Sequence, residues 1–208
     1  MVTGYEQIAR SGGLAALTQA GGFFMQDNPV RNSLIKITSR LHELNIDYAV
    51  VGGMALVAHG YERTTVDVDL LVTSDGLKRA HEALDGLGYV PPFVGSKHLR
   101  DTETGVRIEF LITGQFPGDG VPKPIAFPHP ADAGVDIAGI RFLSLERLIE
   151  LKLASGMTNP GRLKDLADVQ ELIRVRGLDA AFGERIDASV RDKFVEFVRA
   201  VRADSSET

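Results

Sequence analysis

Two aspartates one residue apart, Asp67 and Asp69, stand inside the apolar run Val-Asp-Val-Asp-Leu-Leu-Val. In a β-strand, residues two positions apart point to the same face, so both carboxylates lie on one side, roughly 6.6 Å apart along the backbone. At that separation, and at an effective dielectric of about 20, two negative charges repel by about 3 kcal/mol. Hard cations such as Mg²⁺ bind carboxylate oxygens together with waters and substrate phosphates. The pair therefore predicts a metal site.

A third carboxylate, Glu109, repeats this pattern in a second apolar stretch, residues 106–112. Alternation places Arg107 and Glu109 on one face of this strand and four apolar residues on the core face, namely Val106, Ile108, Phe110 and Ile112. The same alternation predicts that Val66, Val68, Leu70 and Val72 face the core from the first strand. If the two strands are neighbours, three carboxylates meet, as in the two-metal sites of phosphoryl and nucleotidyl transfer.

Gly52 and Gly53 follow a short apolar run and precede a helical stretch. Glycines at a strand-to-helix turn let backbone N–H groups approach a phosphate, and the helix dipole favours the negative charge. No Gly-Lys-Ser/Thr follows, so this is not a P-loop, and the three spaced glycines of the dinucleotide fingerprint are absent. We predict a phosphate-binding turn.

The order Val51-Gly52-Gly53, thirteen residues, then Asp67-Val68-Asp69 resembles the signature of the DNA polymerase β-like nucleotidyltransferase superfamily. The resemblance covers roughly residues 33–175 and extends to small bacterial members, including the nucleotidyltransferase toxins of type IV toxin–antitoxin systems. It implies that Asp67, Asp69 and Glu109 are the catalytic metal ligands. Many members carry serine at position 53, whose hydroxyl helps to hold the triphosphate, and their third acid is more often aspartate.

The C-terminal stretch "LIELKLASGMTNPGRLKDLADVQELI" resembles a helical motif of the toxin-like members. By that resemblance Lys152 contacts nucleotide phosphates, and Asp165 or Asp168 supports the site. Arg63 precedes the acidic strand in a loop, from which it could meet phosphates or substrate. The alternatives are a surface lysine, an exposed loop arginine and ordinary i,i+3 ion pairs around Arg162.

The elements that must position these residues follow from hydrophobic periodicity. We expect a weak helix or docking arm over residues 1–28, a helix from Val30 to Leu44, a strand over 48–51, a helix at 54–59 and a strand over 65–72. Ser74-Asp75 is expected to cap the next helix, and a hairpin around residues 103–105 follows. Beyond a Pro-rich surface loop over residues 114–134 we expect one strand, 137–142, and helices near 144–155, 160–176 and 179–202.

This order predicts an α/β (α+β) fold, in which helices flank the mixed twisted sheet of a nucleotidyltransferase and the C-terminal part is helical. The expected division is an N-terminal arm or helix (1–29), a catalytic domain (30–143) and a helical region (144–208). The chain has 208 residues, 44% of them hydrophobic, and no cysteine, so disulfides and thiolate metal sites are excluded. The absence of an apolar run of about 20 residues and of a signal-like N-terminus leads us to expect a cytoplasmic protein without a membrane partner.

These observations predict an enzyme that moves a nucleoside monophosphate from an NTP, ATP among them, to an acceptor with Mg²⁺ or Mn²⁺ and releases pyrophosphate. The acceptor is left open among tRNA, protein and a small molecule, and an antitoxin protein is a further expected partner. The net charge is −5, so a general nucleic-acid-binding surface is not expected, although a local basic patch is allowed. The alternatives are a non-catalytic nucleotide-binding or partner-docking module on the same fold and a metal-dependent hydrolase.

Overall fold

The computed structural model describes residues 28–206, and they contain a seven-stranded mixed sheet in the order β3-β4-β5-β2-β1-β7-β6. The strands are β1 (Tyr48–Val50), β2 (Asp67–Val72), β3 (Tyr89–Val90), β4 (His98–Asp101), β5 (Arg107–Ile112), β6 (Gly134–Ile137) and β7 (Ile140–Leu143). The pairs β2–β5 and β1–β7 are parallel, and the other neighbours are antiparallel. The predicted fold class is confirmed.

The acidic strand β2 lies at the centre of the sheet, between β1 and β5. Val68, Leu70 and Val72 are completely buried, as alternation predicts. Val66 is an exception, because it precedes the strand and is 74% exposed, so its expected place in the core is wrong. On β5, Ile108 and Phe110 face the core as predicted.

The helices are α1 (Pro29–Glu43), α2 (Gly52–Ala58), α3 (Ser74–Leu84), α4 (Pro130–Ala133), α5 (Leu145–Thr158), α6 (Leu163–Arg176) and α7 (Ala188–Ser206). α1 begins where Asn28 caps its first turn and Pro29 supplies a preset φ. α2 begins at Gly52, so the two glycines form its first residues. Thr73 caps α3 through its hydroxyl, instead of the Ser74-Asp75 pair expected from the sequence.

The last strand predicted from the sequence, residues 137–142, is wrong, because the chain forms a hairpin of β6 and β7 there. Ala138 and Gly139 connect the two strands, and both have a positive φ. A two-residue turn of this kind matches the right-handed twist of the flanking strands. The expected loop over 114–134 accordingly ends earlier, in the one-turn helix α4 and the start of β6.

Three further details of the secondary structure differ from the prediction. The short edge strand β3 is not predicted, since two residues give no usable periodicity. Residues Pro160–Arg162 form a 3₁₀ turn before α6, and Ala180–Arg185 form another before α7. The expected helices at 160–176 and 179–202 therefore each begin with a tighter turn.

The C-terminal helices share the hydrophobic core of the sheet. Ile149 and Leu153 of α5 are completely buried in the same cluster as Leu143 of β7 and Leu70 of β2. Among the described residues, no helix is both long and apolar enough to cross a membrane. The expected arm lies outside the described residues over 1–27, and the three-part division of the chain stays a prediction.

Candidate active site

The three acids meet on one face of the sheet. Parallel pairing of β2 with β5 places Asp69 directly opposite Glu109, with Asp67 two residues along on the same side. One carboxylate oxygen of each residue lies within 4.8 Å of those of the other two, and all three side chains are half-buried. This is an all-oxygen donor set with only negative charge, which suits a hard divalent cation. The residues present therefore fit the metal that the sequence predicts.

Asp69 shows the electrostatic strain of this arrangement most clearly. Burial raises the pKa of its carboxyl to about 7, and the neighbouring carboxylates of Asp67 and Glu109 contribute to the rise, while Lys152 and a hydrogen bond from the Gly53 amide oppose the shift. A bound cation would restore the ionised form, because an adjacent positive charge favours a carboxylate. The carboxyl is therefore poised to respond to a metal ion.

Glycine is the only residue type that fits at position 52, the start of α2. The φ of Gly52 is +59°, which favours glycine, and a Cβ there would lie 1.8 Å from Oδ2 of Asp69. The glycine thus allows the turn to approach the acidic strand. The Val51 amide fixes the approach by donating to the Asp69 carbonyl at 2.9 Å.

Gly53 faces a different neighbour, Thr65, which sequence reasoning did not identify. A Cβ on Gly53 would lie 2.7 Å from Oγ1 of Thr65, so a serine at this position would collide with that side chain. The buried Thr65 hydroxyl donates to Oδ1 of Asp67 at 3.2 Å. The hydroxyl of Thr65 therefore occupies space that a side chain at position 53 would need.

Lys152, Asp165, Asp168 and Arg63 form one buried ionic network at the edge of the acid cluster. Nζ of Lys152 donates to Asp165 at 3.0 Å and to Asp168 at 2.7 Å. Arg63 donates to both oxygens of Asp168, at 2.8 and 2.9 Å. Asp168 is 3% exposed and Lys152 8%, so neither is a surface charge. Asp165 and Asp168 therefore bind Lys152 and Arg63, and the alternative of an ordinary i,i+3 ion pair with Arg162 does not describe their contacts.

Asp165 is held in its charged form by this network. Burial alone would raise the pKa of its carboxyl, but Lys152 and the Ser155 hydroxyl, which donates at 2.7 Å, together hold that pKa below its ordinary value. The network therefore contains two fixed anions and two fixed cations. Its net charge is close to zero.

All nine residues that the sequence singled out line one cleft of about 280 Å³. Sequence reasoning missed several other residues of its wall, namely Thr65, Leu111, Pro117, Gly118, Phe127, Ser155 and Lys164. The Pro-rich loop closes one side, because its ends pair at Gly114 and Phe127 and its Gly118 packs on Ser155 of α5.

Two exposed cations, Arg162 and Lys164, stand at the rim of this cleft. Neither side chain makes a hydrogen bond to the part of the chain that the structure describes, so both have donors available to a ligand. Both belong to the Arg-x-Lys-Asp-x-x-Asp pattern of the C-terminal stretch, which was their only sequence signal.

Solved structures of two other proteins are similar to this chain, and the first of them supports the fold described above. The solution structure of the antibiotic-resistance factor ANT(2″)-Ia matches with a TM-score of 0.50 and 14% identity, covering 84% of this chain and 94% of that chain. A crystal structure of ANT(2″)-Ia in complex with adenylyl-2″-tobramycin matches at 0.49, with 14% identity and coverage of 84% and 97%. JHP933 from Helicobacter pylori matches at 0.45, with 14% identity and coverage of 85% and 92%.

No curated protein matches the sequence. A family model described as an uncharacterised nucleotidyltransferase matches residues 15–195, which is most of the chain. The match includes both glycines, all three acids and the ionic network. The chain therefore belongs to this family of uncharacterised nucleotidyltransferases.

Proposed function

We propose that the protein is an Mg²⁺-dependent enzyme that transfers a nucleoside monophosphate from an NTP to an acceptor hydroxyl. The observation that carries this proposal is the convergence of Asp67, Asp69 and Glu109 within 4.8 Å of one another, at a cleft that also exposes cations. Family membership supports the NTP as donor.

Asp67, Asp69 and Glu109 would hold the divalent cation. When bound, it would neutralise triphosphate charge and make the acceptor hydroxyl easier to deprotonate. Thr65 would keep the Asp67 carboxylate in place through its hydroxyl. Gly52 would leave room for the phosphates beside Asp69, since any side chain there would fill that space.

The triphosphate needs cations that are not already neutralised. Lys152 forms ion pairs with two aspartates and Arg63 with one. We propose that both residues mainly hold the cleft wall in position and attract a bound phosphate only at short distance. Arg162 and Lys164 are better placed to stabilise the β- and γ-phosphates and the leaving pyrophosphate, because their charges are exposed at the cleft.

In the reaction, the acceptor oxygen forms a bond to the α-phosphorus, and the bond from that phosphorus to the bridging oxygen of the β-phosphate breaks. Pyrophosphate leaves with the electron pair of the broken bond. The hydroxyl proton passes to the carboxylate of Glu109. Asp67 and Asp69 keep the donor in line for this displacement.

The proposal is tested by incubating the protein with each α-³²P-labelled NTP, Mg²⁺ and separate pools of RNA, protein and small hydroxyl compounds. Label should appear in one pool, and neither Asp67→Asn nor EDTA-treated protein should produce it. Absence of label from every pool, with no Mg²⁺-dependent NTP binding by calorimetry, would overturn the proposal.

A toxin role stays a prediction from the resemblance, and growth provides its test. Induced expression should arrest growth with the wild-type chain and not with Asp69→Asn, and a co-expressed antitoxin should restore growth. Growth unaffected by an active wild-type enzyme would contradict the toxin role without affecting the transferase proposal.

A further inference from the structure

The sheet face that carries the acids continues across two more strands. Across the sheet, Asp67 of β2 pairs with Arg107 of β5, which pairs in turn with Arg100 of β4. In the same way, Asp69 pairs with Glu109 of β5, which pairs with His98 of β4. Directly paired residues share a face of the sheet. We call Arg100, Arg107 and His98 the basic row.

Arg107 is the central member of this row, and His98 and Glu109 fix its position. Its Nη2 donates to Oε2 of Glu109 at 2.8 Å and to Nε2 of His98 at 3.0 Å. An arginine can only donate, so His98 accepts through this nitrogen. Nε and Nη1 of Arg107 make no hydrogen bond within the described part of the chain. The side chain is 46% exposed and has donors available to a ligand.

The basic row does not line the cleft, and both of its arginines are exposed on the sheet face. Arg100 is exposed and holds the carbonyl of Gly105 at 2.7 Å through one nitrogen, which leaves its other donors facing outward. Small-molecule sites are usually concave. An open, cationic strip beside the acids suits a polymer whose backbone carries regular negative charge.

The loop that enters β4 adds exposed apolar surface. Phe93 is 65% exposed and Val94 fully exposed, five and four residues before His98. Phosphate-binding arginines together with an exposed aromatic ring are the usual means of holding single-stranded RNA, since bases stack on the ring. A polycationic acceptor such as an aminoglycoside would instead be repelled by the two guanidinium groups.

We propose that the basic row is the acceptor site and that it binds the phosphates of a single-stranded RNA end, with the terminal hydroxyl directed to the acids. This inference rests on the proposed function and names its acceptor. Glu109 links the two sites, because its Oε2 accepts from Arg107 and its carboxylate would also help to hold the metal. Recruitment of Oε2 to the metal would free the Arg107 guanidinium for a phosphate.

The test is fluorescence anisotropy with a labelled single-stranded RNA, measured in Mg²⁺ and in EDTA at several salt concentrations. The double variant Arg100→Gln/Arg107→Gln should weaken binding by about tenfold or more, and the log–log salt slope should fall by about one per arginine. Arg199→Gln, an exposed charge of α7 that does not line the cleft, should change neither value. Glu109→Gln should bind RNA as well in EDTA as the wild type does in Mg²⁺.

Unchanged RNA binding in the double variant, or transfer of label to an aminoglycoside or to a protein, would overturn the inference. Calorimetry of Mg²⁺-NTP with the wild-type chain, in the absence of RNA, decides the proposed function separately. Donor binding without RNA binding would contradict only the acceptor assignment. Loss of both would contradict the transferase proposal.

Discussion

The Asp69 carboxyl should make the metal-free protein less stable as the pH rises toward neutrality. Its pKa in the folded chain is about 7, against an ordinary value of 3.8, so the folded state binds its proton more tightly than the unfolded state does. The contribution to stability is thus fully present below pH 3.8 and is lost as the pH rises through about 7. In EDTA, the free energy of unfolding should fall over this window, by on the order of 4 kcal/mol at most.

Asp69→Asn removes this titration, so the loss of stability that Asp69 causes as the pH rises from about 4 to 7 in EDTA should be absent from its thermal unfolding. At a pH of about 8, above the range in which the wild-type carboxyl keeps its proton, the variant should be more stable than the wild type without Mg²⁺. Addition of Mg²⁺ should raise the melting temperature of the wild type only. Identical dependence of the melting temperature on pH in the two proteins would show that the Asp69 carboxyl is not the source of this effect.

Gly52 is expected to tolerate no side chain, for steric more than conformational reasons. Gly52→Ala places a methyl group on Oδ2 of Asp69 and should abolish Mg²⁺-dependent NTP binding in calorimetry. Gly86→Ala is the matched control, because Gly86 also has a positive φ but a Cβ added there would meet no atom within 4 Å. It should cost only the backbone strain of about 1–3 kcal/mol and keep NTP binding. Equal binding defects would contradict the steric account.

Thr65 and Gly53 should behave as a coupled pair. Gly53→Ser alone should reduce stability and NTP binding, because the new Cβ meets the Thr65 hydroxyl at 2.7 Å. Gly53→Ser combined with Thr65→Gly should recover both in part, since the second change removes Oγ1 and also the Thr65 Cβ, which the new Cβ would meet at 2.8 Å, and the serine supplies a hydroxyl. A double-mutant cycle of unfolding free energies measures the coupling. Strictly additive effects would refute it.

At the scale of elements, the ionic network joins the loop before β2 to α5 and α6. Asp168→Asn leaves Arg63 and Lys152 with an incomplete partner in a buried setting, which typically costs about 3–5 kcal/mol, on the order of a large core truncation. Denaturant titration should show this loss. Glu171→Gln on the same helix is the control, because that pair with Arg174 is exposed and its removal should cost under about 1 kcal/mol. Comparable losses would contradict a structural role for the network.

The elements that the sequence predicts well are those with long apolar periodicity. The β2 and β5 strands and the common face of Asp67 and Asp69 follow from alternation, and the pairing of the two strands, which the sequence leaves as a condition, is observed in the structure. The β6–β7 hairpin escapes prediction because its turn uses Ala138 at φ 51°, which carries no Asn-Gly or Asp-Gly signal. Edge strand β3 is too short to predict, and the tertiary partners of Asp168 are distant in sequence. Local pattern predicts strands and faces, but long-range pairing must be observed.

For the candidate site, the same limit separates the residues that a sequence pattern identifies from those that it does not. Asp67, Asp69, Glu109 and the glycines carry a spacing that can be recognised in one sequence, and they do line one cleft. Thr65 has no motif, and its role becomes visible only from the space beside Gly53. Lys152 is predicted to contact phosphates, and the structure adds that two aspartates already bind it.

On the scale of the whole molecule, one core supports both halves of the cleft. The acids come from the centre of the sheet, and the opposing wall comes from α5, α6 and the Pro-rich loop, whose Gly118 packs on α5. Because α5 shares its buried residues with the sheet, the two walls are held together by hydrophobic packing as well as by the ionic network. Under the proposed function, this arrangement would place the donor between the three acids and the exposed cations.

The measurement that tests the central claim most directly is the fate of the three phosphates of one NTP. With α- and γ-labelled NTP in parallel, Mg²⁺ and the acceptor pool, the α-label should enter the acceptor and the γ-label should appear in pyrophosphate in equal amounts. Asp69→Asn should produce neither. Release of the γ-label as orthophosphate, with no α-label in any acceptor, would contradict nucleotidyl transfer and indicate a hydrolase.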